Sequence, residues 1–191
     1  SALYLLLTAF FVWQVSIKPA VANYKFVNAF SRLGAGLITP KDAFVFYKES
    51  LKYETLGTTE FRNQYITWLQ NNLSKFNPEN RLEVLDFGIG ELEKEVKDHS
   101  NVFSFLNLGQ MYSYKARGIQ GGDEVKREIY VKAAGAYDKA LELAPGRLEV
   151  YYSYLQWSFD VKNPSKGVEL MKKAAAAAPN YWQTHLYLGI A

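Results

Sequence analysis

The chain has 191 residues, 49% of them hydrophobic and 16% aromatic, with a formal net charge of +3. That is enough apolar material for a domain with a real core, and it excludes disorder through most of the length. The small positive excess is not the basic stripe that nucleic-acid binding needs, so no nucleic-acid partner is expected. With no cysteine, disulfides, thiolate metal sites and cysteine nucleophiles are excluded.

The first segment, "ALYLLLTAFFVW" (Ala2 to Trp13), carries no charge; the first basic residue is Lys18, followed by Pro19. As a helix, residues 2–17 reach roughly 24 Å, short of a bilayer core of about 30 Å. Three readings stand: the end of a transmembrane helix cut short, a signal peptide with "AVA" at 20–22 as its cleavage site, or a buried first helix. The expectation carried forward is an apolar helix over 1–22, a truncated membrane segment that contacts the membrane through residues 1–17. Trp13 and Lys18 suit its interface exit.

Residues 23–99 read as degenerate helix pairs. "KDAFVFYKES" places Ala43, Tyr47 and Ser50 at a small-large-small spacing, with Pro40 starting the helix. "TTEFRNQYITWLQNNL" sets Phe61, Tyr65, Trp68 and Leu69 at helical spacing, with Thr58 or Thr59 as cap. "NPENRLEVLDFGIGELEKEVKDH" aligns Leu82, Leu85, Ile89, Leu92 and Val96, and Asn77 or Asn80 marks its start. The run "ELEKEVKD" within it, Glu91 and Glu95 included, reads as a solvated charged face. No stretch alternates with period two, so no sheet is expected.

Residues 100–191 carry an internal period. "YDKALELAP" (137–145) and "MKKAAAAAP" (171–179) superpose at an offset of 34, which takes Pro145 to Pro179, Ala140 to Ala174, Tyr137 to Met171 and Ala133 to Gly167. Small residues let antiparallel helices approach, a large one fills the gap between successive pairs, and proline ends the second helix. The first-helix half shows as Leu108, Gly109 and Tyr112 in "NLGQMY" and as Leu188 and Gly189 in "LYLGIA". The copy between has Leu155 where these two have Gly109 and Gly189. The chain stops inside an apolar pattern, so the last unit reads as truncated, and the whole as a fragment of a larger protein.

This spacing resembles the tetratricopeptide repeat. The resemblance implies an all-α, tetratricopeptide-like helical-repeat solenoid of stacked antiparallel helix pairs, preceded by the apolar helix. Against the family pattern, the copy holding Gly109 and Ala133 is 12 residues too long, around "KARGIQGGDEVKRE". Two lengthened helices joined by a loop at Gly118, Gly121 and Gly122 are therefore expected, with Asp123 as the N-cap of the second. The resemblance also places the first helix of each pair along a concave groove. Phe103, Leu106, Gln110 and Ser113 from one copy, and Tyr152, Gln156 and Phe159 from the next, form its stripe. Such a stripe would bind an extended peptide or a sugar chain, and it lacks a Lys/Arg clamp.

Little chemistry is legible. "DHS" (98–100) holds the letters of a triad, but adjacent residues cannot face one another, and His99 reads as a helix end before the cap Asn101. His185, beside Trp182, reads as a packing or groove residue. "FGIG" (87–90) follows no strand and lacks the third glycine of a dinucleotide loop. No catalytic residue, cofactor or metal site is assigned.

The order of parts carries a second resemblance. "VSIKPAVANY", then Ala43, Tyr47 and Ser50, then Gly57, Glu60 and Arg62, is similar to the C-terminal tail of O-antigen ligase/polymerase-like membrane proteins. That resemblance implies glycan transfer by a bacterial inner-membrane parent whose catalytic part lies elsewhere. Three functions follow as expectations: a membrane-tethered repeat scaffold binding a protein or glycan partner, the tail of such a glycan polymerase or ligase, or a secreted repeat-containing assembly factor.

Overall fold

A computed structural model of the chain describes residues 2–55 and 57–190; Ser1, Leu56 and Ala191 lie outside the described residues. The described residues are helices and connecting turns, with no strand among them. The chain forms two units, 1–84 and 85–191.

In the first unit, α1 (Ala2–Val12) passes through a π-helical turn (Trp13–Ile17) into α2 (Lys18–Gly34). The helix therefore passes Lys18–Pro19 and continues beyond residue 22, where the expected apolar helix ended. Pro19 has no N–H to give the carbonyl four residues back and its ring crowds that carbonyl. The widened turn immediately before it is the local answer. None of α1 is buried: Leu3, Leu6 and Phe11 are each more than 60% exposed. Along α2 the environment changes, and Ala22, Phe26 and Ala29 are buried one turn apart. They face α3 (Pro40–Leu51), which runs antiparallel to α2: Lys25 pairs with Glu49 at 3.4 Å, and Phe30 lies against Tyr47 further along. Pro40 starts α3 as expected. Thr39 caps it through a capping box, accepting from the Asp42 N–H at 3.2 Å while its own N–H donates to the Asp42 carboxylate at 2.9 Å.

Ala43, Tyr47 and Ser50 are all buried. Tyr47 is the hub of an aromatic core, with ring centroids 5.2 Å from Phe26, 5.3 Å from Tyr65 and 4.7 Å from Trp68. The last two belong to α4 (Thr58–Asn72). Its N-cap is Gly57, not a threonine; the Thr58 hydroxyl instead accepts from the Thr55 N–H at 2.6 Å, holding the turn before the helix. A 3₁₀ turn (Leu73–Lys75) leads to α5 (Pro78–Asp98), where Asn77 is the cap and accepts from the Asn80 N–H at 2.9 Å.

The charged run in α5 departs from expectation. Leu85, Ile89 and Leu92 are buried, but so are Glu91 at 5% exposure and Glu95 at 0%. Val84, Glu91 and Glu95 fall on a second stripe beside the leucine stripe, so the buried face of α5 is two rows wide. Glu91 accepts from the Lys94 ammonium at 2.6 Å.

The second unit continues with α6 (Val102–Gly118), α7 (Asp123–Leu143), α8 (Leu148–Asp160), α9 (Pro164–Ala177) and α10 (Trp182–Ile190). Asn101 caps α6, accepting from the Ser104 N–H at 2.9 Å. The lengthened pair is present: α6 and α7 span 17 and 21 residues around a short loop. The N-cap of α7 is Gly122, which leaves Asp123 as the first helical residue, where its charge still faces the positive end of the helix dipole.

Successive helices run antiparallel. Gly109 of α6 lies against Tyr137 of α7 while Tyr112 lies under Lys132, and Tyr137 stacks on Tyr154 of α8 while the Tyr130 carbonyl receives the Trp157 indole N–H. The first helices of neighbouring pairs run parallel, with Gln110 bonded to Ser153 and Arg117 paired with Asp160.

The 34-residue period recurs in the conformation as well as the letters. The turn after α7 and the turn after α9 are copies. Ala144 and Ala178 share backbone angles near φ −140°, ψ 75°; their N–H groups donate to Ala140 and Ala174, each at 3.0 Å. Arg147 and Tyr181 donate to Ala144 and Ala178, each at 3.1 Å. The Tyr151 hydroxyl meets the Pro145 carbonyl at 2.9 Å, and 34 residues on, a His185 ring nitrogen meets the Pro179 carbonyl at 2.8 Å. This is a helical-repeat fold, and its signature residues take the places their sizes dictate. Ala133, Ala140, Met171 and Ala174 are completely buried; Leu108, Tyr112 and Gly167 are buried as well. Tyr137, 1% exposed, fills the space between one pair and the next. Gly109 is the contact that admits it, since a Cβ there would stand 2.6 Å from the Tyr137 ring. Gly189 sits in open space and Leu188 is half-buried, because no further helix lies against α10 among the described residues.

Candidate functional site

The stripe drawn along the first helices divides in three. Gln110, Ser113 and Gln156 come together around a pocket of about 90 Å³, also lined by Arg117, Ser153 and Trp157. The Gln110 amide donates to the Ser153 hydroxyl at 2.8 Å, bridging two repeat pairs. Ser113 is buried; its hydroxyl donates to the Gly109 carbonyl at 3.0 Å and lies 3.4 Å from the Tyr137 hydroxyl. The pocket floor is thus built from the same Gly109–Tyr137 contact that joins the pairs.

The other expected groove residues lie elsewhere. Leu106, at 7% exposure, belongs to the core. Phe103 is half exposed, with the Arg147 guanidinium 4.1 Å above its ring. Phe159 is exposed. Tyr152 packs its ring 4.9 Å from Tyr187 and lines a separate, open cleft of about 550 Å³ with Arg147 and Tyr181.

Arg117 is the residue that sequence reasoning missed. It continues the stripe Phe103, Leu106, Gln110, Ser113 by one more step of four, a step the sequence reading did not take although it expected a lengthened helix here. Since α6 extends to Gly118, Arg117 stays on the helix and lines the same pocket as Gln110 and Ser113. Its Nε stands 3.6 Å from Asp160 Oδ2 and its guanidinium 4.8 Å from the Tyr114 ring. Burial pushes the Asp160 carboxyl above its usual range, and the Arg117 charge and a hydrogen bond from Gln156 pull it partly back. Burial likewise raises the Tyr137 phenol. The pocket is lined by amide, hydroxyl, indole and guanidinium groups, with the Trp157 N–H, the Ser113 hydroxyl and the Arg117 charge already engaged within the protein.

The two histidines are far from this pocket in sequence and role. His99 is exposed at the end of α5, and its N–H continues the helix by donating to Glu95 at 2.7 Å. His185 is spent on the Pro179 carbonyl. No cluster of three His, Cys, Asp or Glu side chains able to hold a metal occurs among the described residues.

A comparison of the chain with protein-family models and with curated proteins finds no match. Among the described residues, one helix, Ala2–Gly34, is long and apolar enough to cross a membrane.

Proposed function

We propose that the chain is a membrane-tethered interaction scaffold of the tetratricopeptide type, which presents the Gln110–Gln156 groove to an extended segment of a protein partner. The observation that carries this reading is the joining of two features in one chain. One is a fully exposed apolar helix that continues into the packed helix α2. The other is a repeat stack whose turns recur at 34 residues. The continuity also closes the shortfall in length. Residues 2–22 as one helix reach about 32 Å with Lys18 as their single charge, and a lysine near a helix end reaches back to the interface.

A sugar chain is the second ligand class. The Tyr152–Tyr187 ring pair beside the cleft with Arg147 and Tyr181 favours it, because sugar faces stack on exposed aromatic rings. That ligand would suit the tail of an O-antigen ligase-like protein of a bacterial inner membrane.

A photo-crosslinking amino acid at position 156 or 110, compared with one at exposed position 139, tests the groove in native membranes. Adducts from 156 and 110 that are absent from 139 support the reading. Equal labelling from all three positions refutes it.

A further inference from the structure

Beside the groove, at the end of the repeat where α6 stops and α7 starts, lies an open cleft of about 790 Å³. Arg117, Lys126, Arg127 and Lys162 line it, with Tyr130 and Trp157 as aromatic walls. Arg117 is paired with Asp160, but among the described residues no carboxylate stands within ion-pair distance of Lys126, Arg127 or Lys162.

Lys162 supplies a second, independent observation. It follows α8 with φ at 56°, in the left-handed region where glycine is the usual occupant. Two hydrogen bonds close the helix end around it, Lys162 N–H to the Phe159 carbonyl at 3.1 Å and Asn163 N–H to the Ser158 carbonyl at 2.8 Å. Glycine would satisfy this geometry without strain. A lysine there strains the backbone and sets an ammonium on the rim of the cleft.

We propose that this cleft is a docking site for an acidic peptide segment of a partner protein, with carboxylates on the Lys126, Arg127 and Lys162 rim and an apolar side chain against Trp157. The inference rests on the reading of the chain as an interaction scaffold and adds a surface that adjoins the groove, sharing Arg117 and Trp157 with it. Charge complementarity selects an anion. Concavity disfavours a flat bilayer surface. The two carboxylates among the lining residues, Asp123 and Asp160, disfavour a polyphosphate backbone while leaving room for spaced peptide carboxylates.

The test uses the full chain in detergent micelles and a fluorescein-labelled peptide of alternating Glu and Leu, with a Lys–Leu peptide and anionic phospholipid vesicles as competitors. The Glu–Leu peptide should bind, and binding should weaken sharply at about 1 M salt, where the Debye length is about 3 Å. The triple variant Lys126→Ala, Arg127→Ala, Lys162→Gly should bind it roughly tenfold less tightly, a loss of about 1.4 kcal/mol. Lys162→Gly alone should weaken binding without lowering the melting midpoint, which separates the charge from the fold. Equal binding of both peptides, an unchanged triple variant, or competition by vesicles alone overturns the proposal. Vesicle flotation of the same triple variant, unchanged from wild type, keeps that failure distinct from failure of the tether.

Discussion

Gly109→Ala perturbs the contact that joins one helix pair to the next. The added Cβ would lie 2.6, 2.7 and 2.9 Å from the Tyr137 ring atoms Cε1, Cδ1 and Cζ, closer than carbon atoms approach. The ring cannot step aside: it is 1% exposed and stacked on Tyr154 with centroids 5.1 Å apart. Overpacking of this kind costs about 1–3 kcal/mol, against which alanine returns about 0.5–1 kcal/mol of helix propensity. The expected net is a loss of about 1–2 kcal/mol. Gly189→Ala is the matched control, because a Cβ there meets nothing within 4 Å; it should be neutral or stabilising. Urea unfolding of the full chain in detergent, followed by circular dichroism, reads both. A double-mutant cycle with Tyr137→Leu should recover about 1 kcal/mol, since removing the ring edge removes the clash. If Gly109→Ala is as benign as Gly189→Ala, the account of how the pairs are joined is wrong.

Further predictions rest on single contacts. Thr39→Ala should cost about 1 kcal/mol by uncapping α3, read from urea midpoints. The Thr39 hydroxyl and N–H hold the Asp42 carboxyl below its usual range. Its contribution is therefore present above the unfolded-state value and lost as pH falls through the folded one; an acid titration of Asp42→Asn should lack that step. Lys162→Gly should raise stability by up to about 1 kcal/mol by relieving its left-handed backbone, and a fall would contradict the strain argument. Pro19→Ala should let the π turn at Trp13–Ile17 revert to α-helix, seen as a changed amide hydrogen-bond pattern by NMR. Amide exchange should be faster through Trp182–Ile190 than through α7, because α10 leaves Trp182, Leu186 and Ile190 exposed.

What was legible in the sequence follows from which residues are constrained by size or backbone. Pro145 and Pro179 each follow the end of a helix, and Ala140 and Ala174 have no substitute of equal size at a close approach, so the 34-residue period could be read directly. Helix starts were less legible, because Gly57 and Gly122 cap through backbone geometry and offer no side chain to recognise. The burial of Glu91 and Glu95 was hidden because a carboxylate at helical spacing reads as solvated until its surroundings are known. Arg117 was missed because the stripe was carried only as far as Ser113, although the lengthened helix was expected and reaches Gly118. The first helix was expected to stop at residue 22 and instead runs on to Gly34, with a π turn absorbing Pro19; nothing between Ala22 and Gly34 marks in the sequence whether the helix breaks or continues. Of the stripe drawn from spacing, Gln110, Ser113 and Gln156 line one pocket. Leu106 and Phe159 do not, since spacing places a residue on a face but not its depth.

The central claim is that an exposed apolar helix ties a folded repeat stack to a membrane. Flotation on phospholipid vesicles, comparing the full chain with one lacking residues 2–17, tests it most directly. The account predicts that the full chain rises with the vesicles and that the shortened chain stays in the aqueous layer with its helicity intact. A full chain that remains monomeric in buffer without detergent, with no difference on removing those residues, would contradict it.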